Sequence, residues 1–418
     1  MSSTTLAANE KIKLRDPITV TILAALTVLL ALGSSGISRF SFSGATSWFK
    51  IPLLQFQSRP VAIVLAVLAL VIMALTWFYA RGRRKIPAWM VPTTASLMIL
   101  AFLVFAVAGH KNAIVPVVSL ITGAIAFAIP LVFGSLSGVV CERSGVINIA
   151  IEGQLLAGAF AGAVAASVWN SAYLGMIAAP VAGVLVAVLL ALFTVNLRTD
   201  HIIVGVVLNM LVIGLTSFLF SSVLKEDPQH LNRAVTLAPI KIPILGDIPI
   251  IGPALFNQSL LAYLMYAAII VLQIMLFRSK WGLRARACGE HPRAADTVGI
   301  KVNRIRWQNV LLGGALAGLG GAFFTIGQGL AFSKDMAAGN GFIALAAMIL
   351  GRWNPKGAAA AALLFGFATN LGFTVQAIGS AVPAEFLLMI PYIITILAVA
   401  GYVGIVRPPA AEGKPYPA

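Results

Sequence analysis

Residues 60–80 read PVAIVLAVLALVIMALTWFYA, a run without one ionised side chain. At about 1.5 Å per residue such a run makes a helix about 30 Å long, the thickness of a bilayer's hydrocarbon core. Working outward, comparable apolar runs lie at about 18–37, 91–109, 113–136, 145–168, 173–195, 202–224, 259–277, 309–330, 339–351, 357–378 and 383–406. The run at 339–351 is too short for a full crossing and reads as a half-helix or a tilted short span. The expectation is an all-α fold: a polytopic membrane helical bundle of ten to twelve transmembrane helices, some broken or short.

Composition points the same way. Of 418 residues, 60% are hydrophobic and 10% charged, with a mean hydropathy of +0.96. A soluble chain carries about 25% charged residues. Thirteen acidic and 29 basic side chains cannot clothe a water-facing surface of this size, which excludes disorder and ordinary soluble enzymes.

The net charge of +16 raises the question of nucleic acid, and its distribution answers it. With a cytoplasmic N-terminus, 21 of the 29 basic residues fall on cytoplasmic segments. That is the positive-inside bias of a polytopic protein, so no nucleic-acid partner is needed. An even span count then places both termini in the cytoplasm of a multi-pass protein of the cell (inner) membrane. The first apolar run follows Lys11, Lys13 and Arg15 and lacks a small-residue cleavage site, so it reads as a signal anchor.

Two connections are long. The outer one, about 225–258, holds Pro228, Pro239, Pro243, Pro249 and Pro253 and is expected to be extended rather than helical. The inner one, about 278–308, is rich in Arg and Lys, with a short helix-compatible stretch from Pro292 to Val298. Small-residue patterns crowd the later spans, GAFAG at 158–162 and GALAG at 314–318 among them, and let helices approach closely. The first two spans show no such pattern and read as peripheral.

Motifs of covalent chemistry are missing. The sequence has no G-x-x-x-x-G-K-[ST], H-E-x-x-H or C-x-x-C, and GSLSG at 134–138 places its serines wrongly for a nucleophile elbow. Cys141 and Cys288 read as inert thiols. No catalytic residue, metal site or cofactor is expected in this chain, and a membrane enzyme is the least favoured reading.

The informative polar residues sit inside the spans. Glu152 is the one acidic residue well inside an apolar run, SGVINIAIEGQLLAGAF. A carboxylate there costs about 2.5–3.5 kcal/mol on insertion scales and must face the bundle interior or a cavity. A helix beginning at Val146 would put Asn148 and Glu152 on one face. Asn209, Gln328, Asn340 and Asn370 add neutral amides within or at the ends of later spans. Two readings fit these groups: interhelical hydrogen bonds, or a modestly polar path for a neutral solute. A single intramembrane carboxylate argues against a proton- or ion-coupled secondary transporter, which stands as the alternative. Phe127, Phe160, Phe218 and Phe323 are available to stack on a base, although a Phe in a span is more often core- or lipid-facing.

Four stretches carry a family resemblance: LRARACGEHPRAADTVGI (283–300), SGVINIAIEG (144–153), KIPILGDIPIIGPALF (241–256), and GFIALAAMILGRWNPKGA (341–358) followed by PYIITILAVAGYVG (391–404). In order and spacing they resemble the permeases of ABC importers in the branched-chain amino acid/ribose/nucleoside superfamily, nearest its nucleoside branch. The resemblance covers the chain from about 113 onward. It implies a type II-importer-like permease core at 111–406, preceded by a cytoplasmic tail and peripheral spans at 1–110 and followed by a cytoplasmic tail at 407–418. It further implies that 278–308 contains the coupling element, with Glu290, His291, Pro292, Arg293, Asp296 and Gly299 as the ATPase-coupling residues. Asn148, Glu152, Asn209, Gln328, Asn340 and Asn370 become the substrate-path candidates.

The implied assembly has ABC ATPase subunits holding ATP-Mg at the cytoplasmic face, a second permease chain (homo- or heterodimer), an extracytoplasmic solute-binding protein, surrounding membrane lipid and a small polar solute. A nucleoside is expected, with ribose or another simple sugar as the alternative. From the residues themselves, Pro292 suits the first turn of a short helix. Arg293 and Asp296 have the spacing to pair across one turn of it.

Overall fold

The computed structural model describes residues 14–42, 51–110, 113–379, 386, 389 and 407–417. The expected span at 383–406 lies, apart from Phe386 and Met389, outside the described residues. Two compact units are present: a smaller one formed mainly by residues up to 120 with 371–389, and a larger one formed by 121–370 with the residues after 389.

The smaller unit is built on three mutually packed helices, α1 (Arg15–Gly33), α2 (Ser58–Arg81) and α3 (Met90–Val107). Contrary to the expectation for the first two spans, α2 does carry a stripe of small residues. Ser58, Ala62, Ala66, Ala69, Thr76 and Ala80 are buried along one face. Alanines at helical spacing form no G-x-x-x-G string, so the stripe leaves no such mark in the sequence. Buried hydroxyl groups of this unit are satisfied within their own helices: Thr27 of α1 donates to the Leu23 carbonyl and Thr76 of α2 to that of Ile72, each at 2.7 Å. Trp77 donates to Thr21 at 2.9 Å, tying α2 to α1. Short strands β1 (Ile37–Ser41), β2 (Leu54–Gln57) and β3 (Val115–Pro116) form a small sheet in the order β2-β1-β3, a departure of this unit from an all-α fold.

The larger unit contains α4 (Val117–Arg143), α5 (Ile151–Val168), α6 (Ala172–Ala191), α7 (His201–Leu219), α8 (Pro228–Leu231), α9 (Ile251–Leu255), α10 (Leu260–Arg278), α11 (Lys280–Glu290), α12 (Pro292–Thr297), α13 (Val302–Gly321), α14 (Asn340–Leu350) and α15 (Pro355–Ala377). One π turn extends α6 to Asn196 and another extends α7 to Leu224. The outer connection is less extended than its prolines suggested. It holds α8, α9 and a two-stranded ribbon, β4 (Ile240–Lys241) with β5 (Asn257–Gln258).

Among the described residues, nine helices are long and apolar enough to cross a membrane. At 11 residues α14 is shorter, as its sequence implied. Several expected boundaries move. The span expected at 113–136 runs on to Arg143, the one expected at 145–168 begins only at Ile151, and the one expected at 309–330 is helical from Val302 to Gly321.

The core is closed by glycine. A Cβ at Gly158 would overlap the Gly318 carbonyl, and one at Gly321 would overlap the Leu155 carbonyl. The backbones of α5 and α13 therefore touch directly, which the GAFAG and GALAG patterns had indicated.

Candidate functional site

The polar groups of the larger unit gather around the irregular segment 144–150, between α4 and α5. Gly145 opens this segment at φ +95°, a conformation that favours glycine. Asn148 lies in the segment rather than on a helix, so it does not share a helical face with Glu152 as expected. It is fully buried and donates through Nδ2 to Ser137 Oγ (3.1 Å) and Gln154 Oε1 (3.0 Å). Asn148 Oδ1 and Gln154 Nε2 have no hydrogen-bond partner.

Asn209, within α7, clamps the same segment. Its Oδ1 accepts from the Gly153 amide at 2.8 Å and its Nδ2 donates to the Ile149 carbonyl at 2.9 Å. The irregular stretch has backbone groups that no helix satisfies, and this amide supplies one acceptor and one donor.

Glu152 sits in the first turn of α5 and reaches the start of α14. Its Oε1 accepts from Gly339 N–H at 2.7 Å and its Oε2 from Gly341 N–H at 2.5 Å. These are donors that the first turn of α14 cannot satisfy internally, and the positive end of a helix favours a carboxylate. At about 1.5–3 kcal/mol each, two charge-assisted bonds are commensurate with the cost of placing the group at depth. Glycine at 341 is required, because a Cβ there would lie 2.5 Å from the Glu152 backbone nitrogen.

The remaining path candidates are placed differently. Asn340 follows Gly339 and donates to the Ala337 carbonyl at 2.7 Å. Segment 144–153 thus gathers Asn148, Glu152 and Asn209 and, through Glu152, the Gly339–Gly341 turn that carries Asn340. Asn370, on α15, is buried against Gly123 of α4. Gln328 is exposed in the turns after Phe324. Gln154 and Ser137, which complete the Asn148 network, were missed; the signal was a second polar side chain in the IEGQ string.

The phenylalanines go mostly to packing. Phe127 meets Phe323 edge-on at 6.3 Å, and Phe160 meets Phe332 at 5.2 Å. Phe218 is 66% exposed on α7.

The inner connection is more structured than expected, with α11, α12 and the first turns of α13 in place of one short helix. Ser279 caps α11, accepting from Gly282 N–H at 3.1 Å, and Pro292 opens α12. Ala285, Cys288, Ala295, Val302 and Ile305 make a small apolar core beneath them. Burial pushes the Cys288 thiol up to about 11, consistent with an inert side chain.

Glu290, His291, Arg293, Asp296 and Gly299 are exposed, and Pro292 is half-buried. The expected Arg293–Asp296 pair is not made. Asp296 Oδ2 instead accepts from the Tyr416 hydroxyl at 2.9 Å, and Glu290 Oε2 accepts from Ala410 N–H at 3.2 Å. Residues 410–416 reach across the connection and occupy both carboxylates.

A family model described as the permease component of a branched-chain amino acid transport system matches residues 120–399. The nucleoside ABC transporter permease protein NupC of Lactococcus lactis subsp. cremoris is 39% identical over 300 residues, covering 69% of this chain and 94% of that one. The guanosine ABC transporter permease protein NupQ of Bacillus subtilis is 38% identical over 317 residues, covering 72% and 98%. A putative glucose ABC transporter permease protein of Haloferax volcanii, TsgC13, is 32% identical over 267 residues, covering 63% and 79%. No solved structure matches. With glycine-closed membrane helices, a clamped irregular segment and a folded inner connection, the chain belongs to the branched-chain amino acid transport system permease family.

Proposed function

We propose that this chain is the membrane-spanning permease subunit of an ATP-driven ABC importer and that its solute is a nucleoside. The observation that carries the reading is the near full-length similarity to a nucleoside permease and a guanosine permease, spanning 94% and 98% of those chains. The geometry is compatible. The gathered polar groups are mostly amides, which hydrogen-bond a neutral polar solute without fixed charge. The one carboxylate among them is already engaged by the start of α14.

In this reading α12 is the coupling helix. ATP binding closes an ATPase pair at the cytoplasmic face and displaces α12. Through α11 and α13 that movement reaches the Gly158–Gly318 contact and segment 144–153, which open to opposite sides in turn. The chain makes no covalent change in its solute. Its partners are the ATPase subunits, a second permease chain and an extracytoplasmic solute-binding protein, and both termini are cytoplasmic.

A sugar is the second reading, favoured by the similarity to the putative glucose permease. Uptake of labelled purine nucleosides by the reconstituted importer, with ribose, glucose and leucine as competitors, tests both. Competition by unlabelled nucleoside alone is the expected result. Competition by glucose or ribose at equal concentration transfers the assignment to a sugar, and uptake that survives ATP depletion overturns the ABC reading.

A further inference from the structure

The C-terminal residues 410–416 are tied to the inner connection at four points and to segment 144–150 at a fifth. Backbone N–H groups of Ala411 and Gly413 donate to the carbonyls of Gly289 (2.8 Å) and Gly145 (3.1 Å). The Ala410 N–H and the Tyr416 hydroxyl hold Glu290 and Asp296, and Arg306, itself 1% exposed, donates through Nη1 to the Lys414 carbonyl at 2.9 Å. Gly413, at φ +70°, packs where a Cβ would lie 2.8 Å from the Ile147 side chain. A loose tail would not need a glycine there.

This arrangement changes the surface that α12 presents. A cavity of about 530 Å³ opens between α12 and the tail, lined in part by Glu290, His291, Arg293, Lys414 and Tyr416. Of the nearby carboxylates, Glu290 and Asp296 are turned to the tail and engaged by it, and Glu412, within the tail, is half-buried. Arg293 and Lys414 are both exposed and lie within 4 Å of no described carboxylate. The cleft is therefore cationic, and its complement is an acidic surface.

We propose that the C-terminal tail is the second half of the ATPase-receiving surface, so that α12 and residues 410–417 form one platform whose cationic cleft takes an acidic segment of the ATPase subunit. This rests on the reading of α12 as the coupling helix. The tail performs two tasks: it fixes the orientation of α12 through Asp296 and through Glu290 at the end of α11, and it contributes Lys414 to the contact. Its bond to Gly145 also joins the platform to the segment that carries Asn148.

The test measures affinity of the importer's purified ATPase subunit for the full-length permease in nanodiscs, together with solute taken up per ATP hydrolysed in proteoliposomes. The variants are Arg293→Glu, Lys414→Glu, Tyr416→Phe and a chain ending at Arg407. Expected are a tenfold or greater loss of ATPase affinity for Lys414→Glu, a similar loss for Arg293→Glu, and a severalfold fall in uptake per ATP for Tyr416→Phe. If the shortened chain fails to fold, the point variants decide. Loss in Arg293→Glu with wild-type behaviour in Lys414→Glu and Tyr416→Phe overturns the platform and leaves the coupling helix standing. Wild-type behaviour in all of them overturns the coupling reading as well. If Lys414→Glu alters only retention on phosphatidylglycerol vesicles, the cleft serves lipid headgroups and the platform is overturned.

Discussion

Glu152 and Asp296 are both carboxylates whose partners lie more than a hundred residues away, yet the two regions use them differently. Glu152, 3% exposed, accepts from two amides at the start of α14 within the packed helices. Asp296 is exposed and accepts from a single tyrosine hydroxyl in water. The first contact carries stability, because an unpaired donor in an apolar interior has no substitute partner. The second carries geometry, because water replaces the tyrosine at little cost.

Removing the buried member should have the largest effect. Glu152→Ala leaves the Gly339 and Gly341 amides unpaired and is expected to cost about 3 kcal/mol or more, read as a fall in melting temperature in detergent. Glu152→Gln keeps the bulk and one acceptor and should lose roughly half as much; a Gln variant as stable as wild type would show that side-chain bulk, not the charged pair of acceptors, matters there. Asn209→Leu comes next, at about 1–2 kcal/mol, since it strands the Gly153 N–H and the Ile149 carbonyl together.

Tyr416→Phe and Asp296→Asn should shift stability by less than about 1 kcal/mol and show themselves in transport per ATP; a melting shift as large as that of Asn209→Leu would erase the contrast. The pH response sharpens it further. Burial raises the Glu412 carboxyl above its ordinary value of 4.5, so the docked tail favours the protonated form. Docking should be strongest at acid pH and weaken as pH rises above that ordinary value, levelling off beyond the raised one. Hydrogen exchange at Ala411 and Gly413, corrected for its intrinsic pH dependence, should report this, and Glu412→Gln should flatten the response. Phe218→Ala, exposed on α7, should move stability by no more than about 0.5 kcal/mol.

Much of this was legible in the sequence, and the failures share a cause. Long apolar runs gave the spanning helices because hydrocarbon leaves few alternatives to a helix. The helix expected to end near 136 continues to Arg143, although Glu142 and Arg143 carry the charge of loop residues. They stay helical because Trp353, some two hundred positions later, donates to Glu142 Oε2 and accepts from Arg143 Nε. Arg306 likewise marked a loop by its charge, yet it is buried beneath the tail. Glu152 was singled out correctly as an inward group, but its partner is backbone, and amides leave no trace in a residue string. The tail is expected only as a cytoplasmic end, since nothing in its composition names Gly289 or Gly145 as its neighbours.

The Glu152 contact also bears on how the protein is made. Its two partners lie 187 and 189 positions downstream, so the carboxylate enters the bilayer long before the amides that receive it have been synthesised. Until α14 arrives, the nascent chain holds an unanswered acid in its first inserted half, and α14, about 16 Å long, cannot settle without it. Biogenesis of the two halves is interlocked, and ribosome-bound fragments ending before Gly339 should be the forms that membrane quality control removes.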